Sequence, residues 1–163
     1  MMKIFLPISI FCLVSIVVTA QTPAQTIPSF VFFKADKTPF TQQDLQQGKQ
    51  LFFEFFDTGC EHCQRATAYI ADHYDAFRNV AMYMVTLDSP EKVALFFNKY
   101  GAKLKGRKNI TLLQDTQYQF IPRFQPRKYP SMFLYSKAKK LLVYTDDDQS
   151  AFRIVNAINA SVK

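Results

Sequence analysis

Leu51-Phe52-Phe53-Glu54-Phe55-Phe56-Asp57-Thr58-Gly59-Cys60-Glu61-His62-Cys63 is the stretch on which the fold of this chain turns. Its first six residues are almost wholly apolar, the mark of a central strand buried on both faces. From Glu61 the period changes to helical: Cys63, Ala66, Ile70 and Phe77 fall on one stripe, with His73 or Tyr74 filling the gap. A cysteine pair spaced C-x-x-C therefore sits where a buried strand hands over to a helix. There Cys60 meets the unpaired N–H groups and positive dipole end of the helix, which stabilise a thiolate. Cys63, one turn on, can attack a mixed disulfide formed by Cys60 and close a ring between the two sulfurs.

Outward from this stretch, strands and helices alternate. Phe30 to Lys34 and Thr38 to Phe40 read as a hairpin, preceded by a polar, flexible leader over 21–28. Val80 to Leu87 reads as a strand. Pro90 opens a helix with Val93, Phe96, Phe97 and Tyr100 inward, and Gly101 stops it. Ile110 to Leu113 is a short strand or turn, and Thr116 to Phe124 a short helix interrupted by Pro122. Ser131 to Ser136 and Leu141 to Thr145 form a second hairpin. Asp146-Asp147-Asp148 puts negative charge at the start of a last helix that buries Phe152, Val155 and Ile158. The order predicts an α/β domain over 29–163: a mixed central sheet flanked on both faces by helices, with an extra N-terminal β-hairpin.

The first 20 residues are of a different kind. Met1-Met2-Lys3 is a positive start, Ile4 to Ala20 is largely apolar, and Val18-Thr19-Ala20 offers small residues for cleavage. This is the pattern of a secretory signal, or of a membrane anchor if it stays uncleaved. Cleavage removes Cys12 and leaves Cys60 and Cys63 in an oxidising, periplasmic or secreted setting.

Composition sets the outer bounds. The chain has 163 residues, 48% hydrophobic and 20% charged, with 4 Gly and 8 Pro, which excludes collagen-like, low-complexity and disordered classes. Three cysteines exclude a disulfide-dense scaffold, and 17 Phe and 8 Tyr stand in for the absent Trp as large core side chains. The net charge of +7 is too modest to indicate nucleic acid. A zinc site would need ligands beyond His62 and His73, and Gln64 after Cys63 excludes haem attachment.

The segment Phe53 to Cys63, together with Lys128-Tyr129-Pro130-Ser131, resembles the thioredoxin superfamily, and within it the exported TlpA-like thiol–disulfide oxidoreductases. The resemblance spans roughly Ile27 to Ile158 and implies a thioredoxin fold. It makes Cys60 the attacking and Cys63 the resolving thiol, and Pro130 a cis-proline facing them. Tyr129 and Pro130 then form the wall that meets an extended substrate. Glu54 stands where the family keeps a buried acid, which can trade a proton with Cys63. His62 resembles the inter-cysteine histidine of disulfide oxidases and isomerases, whereas Glu61 adds opposing charge, so the pair tunes the site and leaves the direction of electron flow open. Gly59 replaces the usual Trp before the first cysteine. No metal or organic cofactor is implied. The partners implied are protein thiols and disulfides, with a membrane or soluble electron-exchange partner. A rival reading is a thioredoxin-like binding module whose C-x-x-C is a static disulfide or weak metal site. The basic residues at 103–108 and 123–128 read as solvated loops, and Asn109-Ile110-Thr111 and Asn159-Ala160-Ser161 as chance glycosylation matches.

Overall fold

The structure, a computed structural model, describes residues 22–161, so the expected signal over 1–20 lies outside the described residues. In chain order the elements are β1 (Val31–Phe33), β2 (Pro39–Thr41), β3 (Leu51–Phe56), α1 (Glu61–Asp72), α2 (Tyr74–Phe77), β4 (Ala81–Thr86), α3 (Pro90–Tyr100), β5 (Ile110–Gln114), α4 (Phe120–Phe124), β6 (Ser131–Tyr135), β7 (Leu141–Thr145) and α5 (Phe152–Ala160). They build one seven-stranded sheet in the order β2-β1-β5-β4-β3-β6-β7. β3 and β4, and β4 and β5, run parallel through their connecting helices, while β6 returns antiparallel to β3. The mixed sheet expected from the sequence is present.

The pleat sorts the apolar strands into two cores. Phe52 and Phe56 of β3, Met82 and Met84 of β4, and Met132 and Leu134 of β6 face α1, α2, α3 and α5. Phe53, Phe55, Tyr83 and Phe133 face the opposite way, where α4 brings Phe120 and Phe124 into an aromatic cluster with Phe30 and Phe32. Helices thus lie on both faces, but unequally: on the second face rings do the covering. α4 starts at Phe120 because the buried Asp115 carboxylate accepts the N–H groups of Gln119 and Phe120, at 2.9 and 2.7 Å. Pro122 falls in its first turn, where no intrahelical donor is lost.

Three expectations are corrected. Residues 24–28 are not a loose leader: Thr26 bridges Lys140, the Leu141 N–H donates to the Gln25 carbonyl, and Ile27 is buried. One apolar side chain with a strand edge to pair against suffices to dock so polar a segment. The helix expected to run to Phe77 breaks at His73 (φ −105°, ψ 22°) and resumes as α2, with Tyr74 rather than the exposed His73 packing inward. In α5 the buried stripe is Ala151, Ile154, Val155 and Ile158, and Phe152 is 48% exposed. Asp147 and Asp148 open a turn of their own over Asp148–Ser150, which shifts the helix start and rotates Phe152 outward.

At the far side of the sheet β1 meets β5 through the pair Phe33–Gln114, while β5 pairs with β4 along its whole length. Asn109 is buried and fully engaged: its amide donates to the carbonyls of Phe77 and Val80 and its oxygen accepts from the Tyr74 hydroxyl. That leaves no free amide for a glycan in the folded chain.

Candidate active site

The site is built where β3 ends and α1 begins. The Asp57 side chain accepts the Gly59 N–H (2.8 Å) and its carbonyl accepts the Cys60 N–H (3.2 Å), folding the loop into an Asx turn. A Cβ on Gly59 would stand 3.3 Å from Asp57 Oδ1, so the tight turn goes with a small residue at this position. Asp88, just beyond β4, accepts both the N–H and the hydroxyl of Thr58, at 2.9 and 2.8 Å, tying the loop to the neighbouring strand's end. Cys60 is the N-cap of α1, with extended backbone (φ −81°, ψ 117°), and its Sγ accepts the Cys63 N–H at 3.4 Å. Cys60 is half-buried and Cys63 fully buried, both as free thiols, 3.0 Å apart.

Beneath them lies Glu54. Its side chain shares the helix-facing side of β3 with Phe52 and Phe56, and its strand partners are Met84 and Met132. It is 0% exposed. Thr67, one turn beyond Cys63 on α1, donates to Oε1 at 3.3 Å, while Oε2 has no hydrogen-bond partner among the described residues. Burial among phenyl rings and thioethers pushes this carboxyl up to about 8, partly opposed by the Thr67 hydroxyl. Burial likewise pushes the Cys63 thiol above the ordinary thiol range, and Cys60 and Glu54 add to the push.

The Tyr129–Pro130 peptide is cis, and Pro130 is buried. Ser131 follows and pairs with Phe55, which puts the turn at the same end of the sheet as the Asp57–Cys60 loop. The Tyr129 ring packs on Phe55 (centroids 4.7 Å, 31°), and burial raises its phenol to about 12, with Asp57 and Cys63 adding to the rise.

The two residues between the cysteines are exposed. The His62 imidazole lies over the helix flank, with Nδ1 2.6 Å from Asp148 Oδ1 and 2.9 Å from Arg65 Nη2. Glu61 is 3.9 Å from the Arg65 guanidinium. His73 stacks on Tyr69 instead, far along the helix. Among the described residues no group of three or more His, Cys, Asp or Glu could hold a metal ion.

The structure therefore gathers Cys60, Cys63, Glu54 and the Tyr129–Pro130 turn at one end of the sheet. Sequence reasoning missed Thr67, Asp88 and Asp148. Thr67 was legible, since it sits four residues after Cys63 on the same helical stripe. The other two come from strand ends and a distant turn, and no spacing signals them.

The AhpC/TSA family model matches residues 23–144. Thiol-disulfide oxidoreductase ResA of Bacillus subtilis is 27% identical over 118 residues, 71% of this chain and 62% of the relative; the Bacillus thuringiensis ResA is 30% identical over 118 residues, 71% and 64%. The aligned stretch thus spans under two thirds of these curated relatives. Among solved structures, a secreted Mycobacterium tuberculosis disulfide oxidoreductase homologous to E. coli DsbE superposes with a TM-score of 0.64 at 18% identity, covering 80% of this chain and 95% of that one. Peroxidoxin BcpB of the same organism gives 0.68 at 14% identity, covering 88% and 99%. These likenesses show the fold, which is thioredoxin-like.

Proposed function

The chain belongs to the AhpC/TSA family, and on that footing we propose that it is an exported thiol–disulfide oxidoreductase that trades electrons with protein thiols through Cys60 and Cys63. One observation carries the reading: a half-exposed sulfur at a helix N-terminus lies 3.0 Å from a buried one, with a buried carboxyl beneath.

In the reducing direction the Cys60 thiolate attacks one sulfur of a substrate disulfide. The substrate S–S bond breaks, its far sulfur leaves as thiolate and takes up a proton, and a mixed disulfide joins Cys60 to the substrate. Cys63 then loses its proton and attacks Cys60 Sγ. The mixed disulfide breaks, the second substrate sulfur leaves, and two electrons have passed from the cysteine pair to the substrate. Run backwards, the same steps oxidise a substrate dithiol. Cys63 is shut off from outside reagents by burial, which supports Cys60 as the entry sulfur. Glu54, once ionised, is the group to accept the Cys63 proton: raised to about 8 it is mostly protonated at neutral pH, and transfer from a thiol to its ionised form is less uphill than to an ordinary carboxylate. The Tyr129–Pro130 turn supplies backbone beside the sulfurs for an extended peptide, and a second electron-exchange partner resets the pair. Export rests on the Met1–Ala20 pattern. Among the described residues no helix is long and apolar enough to cross a membrane.

Trapping tests the roles. Cys63→Ser keeps the entry sulfur but not the resolving one, so mixed disulfides with protein partners should accumulate on non-reducing gels. Cys60→Ser should trap few or none. Equal trapping by the two variants overturns the assignment.

A further inference from the structure

Asp148 does no work in the redox steps above, yet it is built into the site. Its side chain is 5% exposed, although both of its partners are surface residues, His62 at 63% and Arg65 at 53%. Each carboxylate oxygen is taken: Oδ1 lies 2.6 Å from His62 Nδ1, and Oδ2 accepts Arg65 Nε at 2.7 Å. Burying a carboxylate is costly unless charged or hydrogen-bonded partners go with it. Burial alone would raise the Asp148 carboxyl, but the bonds from His62 and Arg65 win and hold it below the ordinary range.

The bland role for an aspartate here is to cap the turn over Asp148–Ser150. That role is already filled. Asp147 caps it, accepting the Gln149 N–H at 3.1 Å and the Ser150 hydroxyl at 3.2 Å. The Asp148 carboxylate is left to reach across to α1, to the residue between the cysteines and to the one a turn below it. Arg65 in turn feels Cys60 as well as Asp148 and Glu61.

We infer that Asp148 is a positioning residue for the cysteine pair, holding His62 and Arg65 against the flank of α1 and neutralising the guanidinium two residues beyond Cys63. The inference rests on the oxidoreductase reading of the site. With Asp148 in place, the Nδ1 of His62 is committed to the carboxylate, and the Arg65 charge is balanced. Without the carboxylate, the Arg65 charge near the cysteine pair is left uncompensated, and a positive charge there favours the reduced pair.

The test is a glutathione redox titration of the full chain in four forms: parent, Asp148→Asn, Arg65→Gln and the double variant. Asp148→Asn should shift the equilibrium toward the dithiol by roughly two- to fivefold, the range of one partly exposed charge interaction. Arg65→Gln should shift it the other way, and the double variant should return toward the parent. An Asp148→Asn equilibrium equal to the parent's overturns the inference. So do shifts of the same sign in both single variants, which is what mere loosening of the turn would give. Should Asp148→Asn fail to fold, Arg65→Gln decides alone, and an unchanged equilibrium there also overturns it. A parent that does not equilibrate with glutathione at all sinks the oxidoreductase reading itself, an outcome distinct from the others.

Discussion

Replacing Glu54 with Gln removes a carboxyl buried on the helix-facing side of β3, and its effect can be worked out before any turnover is measured. The folded carboxyl is raised to about 8, against 4.5 for the group in its ordinary setting. Between those two values the folded chain keeps a proton that the unfolded chain releases. The unfolded state thus binds fewer protons, and stability falls as pH rises, by at most about 1.4 kcal/mol per pH unit. The stability is fully present below pH 4.5 and is lost as the pH climbs through 8, for a total of about 5 kcal/mol. From pH 5 to pH 8 the parent should lose about 4 kcal/mol through this one group. Glu54→Gln has nearly the same shape and does not titrate, so that loss should vanish. Burying an amide donor near the Met84 and Met132 side chains adds a cost of about 1–3 kcal/mol, but it is the same at every pH and drops out of the comparison. Urea unfolding of the dithiol-reduced proteins at pH 5, 6, 7 and 8 measures the effect. Parallel stability–pH curves for parent and variant would refute the reasoning, because they mean that Glu54 is ionised or hydrated in the folded chain.

Two further substitutions probe what surrounds that carboxyl. Thr67→Val removes the hydroxyl that donates to Glu54 Oε1, and should destabilise the chain at pH 5 by about 1 kcal/mol in the same urea assay. Since that bond lowers the Glu54 affinity for its proton, its loss should also carry the pH-dependent fall to higher pH. Gly101→Ala would place a Cβ 2.6 Å from Phe97 Cδ1 and 3.2 Å from Thr67 Cγ2. The buried Phe97 ring must shift, at a cost of about 1–3 kcal/mol, read as a lower urea midpoint with an unchanged slope.

The strand–helix handover around Cys60 was legible because its signals are local and strong: a near-continuous apolar run, then a change of period at Glu61. Glu54 stood out for a related reason, a carboxyl in a row of phenylalanines with no polar neighbour on the strand. The Tyr129–Pro130 turn was legible through resemblance alone, since no periodicity marks it. Asp148 was read as dipole compensation at the start of α5, a reading that fits any acid before a helix. What gives it a different role is its approach to α1 across 86 residues of sequence, which depends on how α5 packs. Leader residues 24–28 failed in the same way: their polarity is real, but backbone pairing to Lys140 and Leu141 needs no apolar side chains to signal it.

The outer edge of β5 carries a consequence of its own. With β1 attached through Phe33 and Gln114, the stretch from Ile110 to Leu113 has no strand pairing on that side among the described residues, and Leu112 is 39% exposed beside it. Such an edge is an invitation to another copy of the same chain, the first step of edge-to-edge aggregation. The cations around it close that route. Lys105, Arg107 and Lys108 stand exposed before the strand, and Lys34 and Lys37 stand exposed on the hairpin turn that runs antiparallel to β5 from the Phe33–Gln114 pair. A copy docking parallel would set Lys105, Arg107 and Lys108 against themselves. A copy docking antiparallel would meet the Lys34 and Lys37 turn of the first. Positive charge meets positive charge in either orientation, so the basic loops, which the redox reading leaves idle, disfavour pairing at the unpaired strand.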